Sequence, residues 1–330
     1  MVLAGDIGGT KTILALYDIG DNALNLHAIQ EFASAEFSSL IAVLTAFEKE
    51  IGKQDIEVAC FGIAGPIIDG ACQTTNLAWN VTTKELQKYL DIEKVHLLND
   101  LEATAYGMLF LQEDEFISLN PNGLTCKANR AVIAAGTGLG EGILFYDGQR
   151  YHPSATEGGH CDFAPQTEQQ DALLLWLRKT YPEHVSVERI LSGTGIIALY
   201  DFLAQSHFAP EPIEIKSSSK DADKAPLISQ CALKDKDPLC LETLRLFVEI
   251  YGAEAGNLAL KSMSRGGVYI GGGIAPKILD FMCDGSFMKS FTCKGRFKEI
   301  LNNMEVKISL NPQTALLGAA NFAYHLLHSR

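Results

Sequence analysis

Two stretches of the chain, VLAGDIGGTKTILALYDIG (2–20) and AVIAAGTGLGEGILFYDGQ (131–149), are written in one grammar. Each is an apolar run, a glycine-rich turn with a threonine, a second apolar run, and an acid near glycine. Apolar runs of this length broken by glycines read as β-hairpins. A single glycine turn is ordinary hairpin chemistry, because glycine adopts positive φ without steric cost. Stability does not require threonine beside glycine in both hairpins, so the repetition points to a duplicated domain with paired phosphate-facing turns. The 330 residues agree, since single cores usually stop growing at ~250–300 residues.

A third glycine turn, VYIGGGIAP (268–276), follows another strand-like run and precedes a helix-like stretch. Turns of this kind offer free N–H groups to a phosphate. None of the three has the G-x-x-x-x-G-K-[ST] or full G-x-G-x-x-G spacing, which argues against both of those nucleotide folds. The formal charge of −13, from 27 basic and 40 acidic residues, argues against nucleic acid as a partner, because neutralising phosphates needs clustered Lys and Arg. A nucleotide bound here is therefore held by backbone N–H groups and a divalent cation rather than by a basic field.

Between the hairpins the chain alternates helix and strand. SSLIAVLTAFEKEI (38–51) has helical spacing, EVACFGIAGPI (57–67) reads as a strand entering a Gly-Pro turn, and TTKELQKYL (82–90) opens with threonine at an N-cap. VHLLND (95–100) is a short strand ending in Asn99 and Asp100, with a helical segment after it. An acid at the carboxyl end of such a strand stands where α/β sheets bind ligands. Asp100 is thus either a general base or a helix cap, and the sequence leaves both open.

SATEGGHCDFAP (154–165) places Glu157 and His160 on either side of a Gly-Gly turn, with Asp162 beyond. A metal set of Glu157, His160, Cys161 and Asp162 lacks further ligands in view, and a sugar, whose hydroxyls both donate and accept, suits Glu and His better. Glu188, in HVSVERILSGTGI (184–196), falls early in a helix-like stretch before another glycine turn. The eight cysteines are scattered, with no CxxC, and read as buried thiols of a reducing compartment. No apolar run approaches the ~18 residues of a membrane span, and Met1 is followed almost at once by Asp6 without a basic leader. A soluble, cytoplasmic protein is expected. The segment 207–226 is rich in polar residues, proline and lysine and reads as a surface excursion, and QTALLGAANFAYHLL (313–327) has helical spacing.

The ordered set GDIGGTKT, FGIAGPI, TNLAW, LLNDLEA, AAGTGLGEG, EGGHCDFAP, VSVERILSGTG, YIGGGIAP and KGRFKE resembles the bacterial-type glucokinase family, within the hexokinase, actin and Hsp70 superfamily. The resemblance runs from Met1 to the C-terminal helix. It implies an α/β chain of two duplicated RNase H-like (actin-like ATPase) domains around an interdomain cleft. It further implies a small domain of residues 1–112 plus 313–330 and a large domain of 113–312, the last helix crossing back onto the first domain. The implied activity is ATP-dependent phosphorylation of glucose on its 6-hydroxyl. Asp100 matches the family's catalytic base, and Asn76, Asn99, Asp100, Glu157, His160 and Glu188 match its sugar-binding positions. Asp6, Gly8, Gly9, Thr10, Gly136, Thr137, Gly138, Gly272 and Gly273 match its ATP turns, with Asp6 orienting Mg²⁺ or its waters. The related ROK kinases carry a cysteine-rich zinc motif after the equivalent histidine. Only Cys161 and Asp162 follow His160 here, so no structural zinc is expected. A homodimer without nucleic-acid or membrane partners is implied. A kinase for mannose or an N-acetylhexosamine, and a sugar or nucleotide sensor on the same fold, stay open from the residues alone.

Overall fold

The structure, a computed structural model, describes residues 1–20, 23–74, 77–217 and 221–328. The chain divides into two compact units: Met1–Glu115 with Gln149–Ala155 and Asn311–Arg330, and Phe116–Gly148 with Thr156–Leu310.

In the first unit, β1 (Val2–Ile7), β2 (Lys11–Ile19) and β3 (Leu24–Ala33) form an antiparallel meander. Helix α1 (Leu40–Ile51) is capped by the Ser39 hydroxyl, which accepts from Ala42 N. β4 (Val58–Ile63) is buried at every position, as a central parallel strand covered on both faces must be. The short pair β5 (Ala71–Gln73) and β6 (Asn80–Thr82) leads to α2 (Thr83–Leu90), with Thr82 at its N-cap as its sequence predicts. β7 (Val95–Asn99) then runs into α3 (Asp100–Gly107). The sheet order is β3-β2-β1-β4-β7, with β1, β4 and β7 parallel.

Strand periodicity divides the apolar side chains between two cores. Leu3, Ile7, Leu14, Phe61 and Ile63 join Val43, Leu44 and Phe47 of α1 on one face. Val2, Ala4, Ala15, Val58 and Cys60 join Leu316, Ala319, Ala320 and Ala323 of the C-terminal helix Thr314–His328 on the other. That helix is seated against α3 through glycine. A Cβ on Gly107 would collide with the Thr314 backbone, and one on Gly318 with the carbonyl of Ala103.

The second unit repeats the pattern. β8 (Phe116–Ser118) is an edge strand, and β9 (Arg130–Ala135) and β10 (Leu139–Tyr146) form the second hairpin. β11 (Tyr151–Thr156) lies almost wholly in the Gln149–Ala155 segment counted with the first unit, and the chain re-enters the second unit at Thr156. The order continues β10-β9-β12-β13-β8, where β12 (Val268–Gly271) and β13 (Val306–Ser309) are parallel to β9. Against this sheet pack α4 (Glu168–Leu177), α5 (Gly193–Gln205) and the long helix Pro238–Ser262. Asp237 caps the long helix by accepting from Leu239 N and Cys240 N, with proline in the first turn.

Three expectations change. The segment 207–226 contains a helical turn at Ile213–Lys216 and the start of a helix at Asp221–Gln230, because Ile215 and Ile228 supply apolar anchors that join the core. Glu188 sits in a single 3-10 turn, Val187–Arg189, ahead of the Ser192 cap that starts α5. The thiols are not uniformly buried: Cys60, Cys72, Cys231 and Cys240 are, but Cys161, Cys283 and Cys293 are exposed, and all eight are free. No helix among the described residues is long and apolar enough to cross a membrane.

Because the α3 contact rests on the absence of a side chain, Gly318→Val should destabilise the chain by ~1–3 kcal/mol through overpacking. A urea midpoint unchanged from the parent would show that the two helices separate without cost.

Candidate functional site

The parallel register brings two acids of the first unit to one end of its sheet. Asp6 lies near the carboxyl end of β1, opposite Gly62 of β4, and Asn99 ends β7 opposite Ile63. Asn99 is the cap of α3. Its side-chain oxygen accepts from Leu101 N at 2.9 Å, and Glu102 returns a bond to Asn99 N at 3.0 Å, completing a capping box. The Asn99 amide also donates to the Gly65 carbonyl at 3.0 Å. Asp100 is therefore the first residue of the helix rather than its cap, and its Oδ1 accepts from Leu101 N. The Gly62 position between the strands lets α3 approach, since a Cβ there would lie 2.8 Å from the Ala103 methyl.

The Asp100 charge is felt at Asp6. Burial first, and the Asp100 charge second, push the Asp6 carboxyl up to about 6, against an opposing pull from Lys11. A like charge near a buried carboxyl raises it, and a bound dication reverses that effect. Among the described residues no group of three or more His, Cys, Asp or Glu side chains is gathered to hold a metal. The residues present fit Mg²⁺, which is held by one or two carboxylates and completes its shell with water and phosphate oxygens.

The first glycine turn is tightly organised. Gly8 N donates to Lys11 O, Ser34 N to Thr10 O, and the buried Ser34 hydroxyl to Gly8 O at 2.8 Å, with Thr12 behind it. Gly8 thus shapes the turn, and Gly9 and Thr10 stand at its tip. Asn76, the remaining sugar-side candidate of this unit, lies outside the described residues.

In the second unit three glycine turns converge. Gly272, at φ +80°, lies against the Ala135 backbone, where any Cβ would collide, and Ile274 N donates to Ala135 O. Gly193 N donates to Gly136 O at 2.9 Å. The turns at Gly136–Thr137–Gly138, Gly272–Gly273 and Ser192–Gly195 therefore share one neighbourhood, and Gly136 and Gly273 face open space. The Ser192–Thr194 turn was not among the sequence candidates. Its signal was the SGTG tetrad, which reads as plain helix capping until Gly193 is seen on Gly136. Tyr251 of the long helix, also unforeseen, holds the end of β9 by accepting from Ala135 N at 3.1 Å.

Glu188 is bound to the same assembly. Its Oε2 accepts from Leu139 N at 2.9 Å and packs on Gly138, so one of its oxygens anchors the second glycine turn. Glu157 and His160 stand together on a 3-10 turn, exposed, with Oε2 and Nε2 3.8 Å apart. His184 steadies that turn: its Nε2 donates to His160 O at 2.8 Å while Nδ1 faces Asp162 at 3.0 Å. Asp162 is thereby a support of the turn.

A family model described as Glucokinase matches residues 3–326. The glucokinase of Nostoc punctiforme is 42% identical over 340 residues, spanning 99% of each chain. Among solved structures, a glucokinase from an Antarctic psychrotroph superposes with a TM-score of 0.86 at 30% identity, covering 98% of both chains. A ROK-family glucokinase from Streptomyces griseus, in complex with glucose and AMPPNP, matches in fold with a TM-score of 0.67 at 19% identity, covering 98% of this chain and 99% of the other.

The Asp6 proton gives a signed expectation. Burial raises the carboxyl to about 6 in the folded chain, from an ordinary aspartate value of 3.8. The stability it confers is complete below that lower value and lost as pH rises through about 6. Asp6→Asn should therefore gain thermal stability relative to the parent between pH 4 and 7 in metal-free buffer, measured by differential scanning fluorimetry. Parallel curves for the two proteins would contradict a buried Asp6 whose carboxyl is raised to about 6.

Proposed function

The chain belongs to the glucokinase family, and we propose that it transfers the γ-phosphoryl group of ATP to the 6-hydroxyl of glucose, giving glucose 6-phosphate and ADP. The family match covers nearly the whole chain, and the residues that would perform this chemistry are present in both units. Asp100 is the group we assign as general base, accepting the proton of the 6-hydroxyl as the oxygen attacks phosphorus. The observation that carries this assignment is the capping of α3 by Asn99, which relieves Asp100 of that duty and leaves its acid beside Asp6 at the carboxyl end of the sheet. A placed base of this kind contributes typically ~10²–10⁴-fold.

Asn99 in the first unit and Glu157, His160 and Glu188 in the second are the groups we assign to the sugar hydroxyls. Carboxylates accept from hydroxyls, and an amide and an imidazole both donate and accept, so each offers bonds that a pyranose hydroxyl can use. Gly9 and Thr10 in one unit, and the Gly136–Gly138, Gly193 and Gly272–Gly273 turns in the other, present small residues and backbone dipoles suited to phosphates and nucleotide. Mg²⁺ bound near Asp6 would supply charge neutralisation for the polyphosphate of a protein whose own net charge is −13. Phosphoryl transfer needs little covalent help, so positioning and charge stabilisation account for most of the rate. Family resemblance also supports a cytoplasmic homodimer.

Asp100→Asn should lower kcat for glucose by ~10²–10⁴-fold while the glucose KM stays within a few-fold, read by coupled ADP release with circular dichroism as the folding control. Near-parental kcat in a folded variant would remove Asp100 from the reaction. Substituting mannose, fructose or N-acetylglucosamine for glucose in the same assay tests the substrate, with glucose expected to be preferred.

A further inference from the structure

Glu141 occupies a core-facing position of β10 where strand periodicity calls for an apolar side chain, and it is 1% exposed. Its carboxyl meets that of Glu254 on the long helix Pro238–Ser262, itself 5% exposed. Among the described residues neither its Oε1 nor Oε1 of Glu254 has a hydrogen-bond partner, the latter lying 3.6 Å from Lys261 Nζ. Two acids buried together with open acceptor atoms are costly, and the catalytic assignment gives them no part.

What lies on top of Glu141 supplies one. Gly158, in the turn carrying Glu157 and His160, rests on the Glu141 carboxyl so closely that any Cβ would run into it. Gly159 rests likewise on the Leu139 carbonyl. Thr156 completes the attachment: its hydroxyl donates to the Glu141 carbonyl at 3.0 Å and accepts from Gly158 N at 3.1 Å. The turn is thus pressed onto β10 at alternate residues, Leu139 and Glu141. We propose that Glu141, backed by Glu254, is a positioning residue for hexose binding, the seat that fixes the height and angle of the turn bearing Glu157 and His160. This inference rests on the reading that those two side chains bind the sugar.

The surroundings say how the seat responds to pH. Burial, then the Glu254 charge, raise the Glu141 carboxyl to about 7, with Lys261 opposing. Glu254 accepts from Asn257 Nδ2 at 2.8 Å and has Lys261 Nζ 3.6 Å away. Lys294, whose ammonium burial pushes down, donates to Asn257 Oδ1. Tyr251, on the same helix, senses the Glu141 charge and is held up mainly by burial. A neutral Glu141 donates its proton within the acid pair and lets Gly158 lie on it. The ionised form is an unsolvated charge beside a second acid, and relief comes by lifting the turn. Weaker sugar binding above about pH 7 follows, with the phosphoryl-transfer step itself untouched.

The test compares the parent, Glu141→Gln and Glu141→Ala. In the parent, the glucose KM should rise by about tenfold between pH 6 and 8.5, with kcat and the ATP KM nearly level. Glu141→Gln, whose amide stands in for the neutral acid toward Glu254, should keep the parental KM at pH 6 and lose that rise. Glu141→Ala should raise the glucose KM by about tenfold at every pH and speed amide hydrogen exchange at residues 156–161 in the sugar-free protein. A Glu141→Gln profile that follows the parent, or unchanged glucose KM in Glu141→Ala, overturns the proposal. If the parent phosphorylates no hexose, the sugar reading fails by itself, and the exchange rates still decide whether Glu141 seats the turn: unchanged exchange overturns that too. Should Glu141→Ala not fold, the pH profile of Glu141→Gln carries the decision.

Discussion

The parallel register of β1, β4 and β7 governs where the chemistry of the first unit stands. Parallel strands end on the same side of a sheet, so an acid near the end of β1 and another just past β7 become neighbours although 94 residues apart in sequence. The buried strand β4 between them is covered by α1 on one face and by the C-terminal helix on the other, and its Gly62 admits α3 to the sheet. Moving any of these elements changes the burial of Asp6 first and its relation to Asp100 second, the two causes that raise its proton affinity.

The second unit solves a different problem with the same hairpin. There the parallel pair β9 and β12 ends in two glycine turns, and the Ser192 cap adds a third, all gathered on the backbone at Ala135 and Gly136. Backbone close to backbone leaves no room for a side chain at Gly272, whereas Gly136 and Gly273 keep the space in front of these turns open. Two acids of this unit act on loops. Glu188 holds the 136–138 turn, and Glu141 lies under the 156–160 turn. A carboxylate that anchors a binding loop from behind ties the geometry of that loop to protonation inside the core.

Much of the first unit was legible in order of residues. The hairpin at Gly8–Thr10, the capped helices after Ser39 and Thr82, and the strand ending at Asn99 all follow from local periodicity and capping chemistry. The role division between Asn99 and Asp100 was not legible, because both are good caps and only the hydrogen-bond geometry selects one. Glu188 was read as opening a helix, yet the SGTG tetrad starts the helix four residues later. The segment after 207 looked like plain polar surface because its two isoleucine anchors are sparse among charges. Glu141 was overlooked within GLGEGIL, where a lone acid between glycines looks like a solvent-facing strand position. Nothing in the sequence reports that a helix a hundred residues later will bury it against another acid.

The chain by itself therefore determined the alphabet of this protein: two hairpins with glycine and threonine at their tips, alternating helices and strands, and a motif order that places it in its family. These are local properties, set by backbone sterics, capping and apolar period, and they survive without knowing what packs on what. Tertiary structure decided which side chains meet. The pairing of Asp6 with Asp100, the convergence of three glycine turns at Ala135, and the seating of Gly158 on Glu141 each join residues distant in sequence. They depend on sheet register and helix packing, where a shift of one residue turns a side chain to the opposite face.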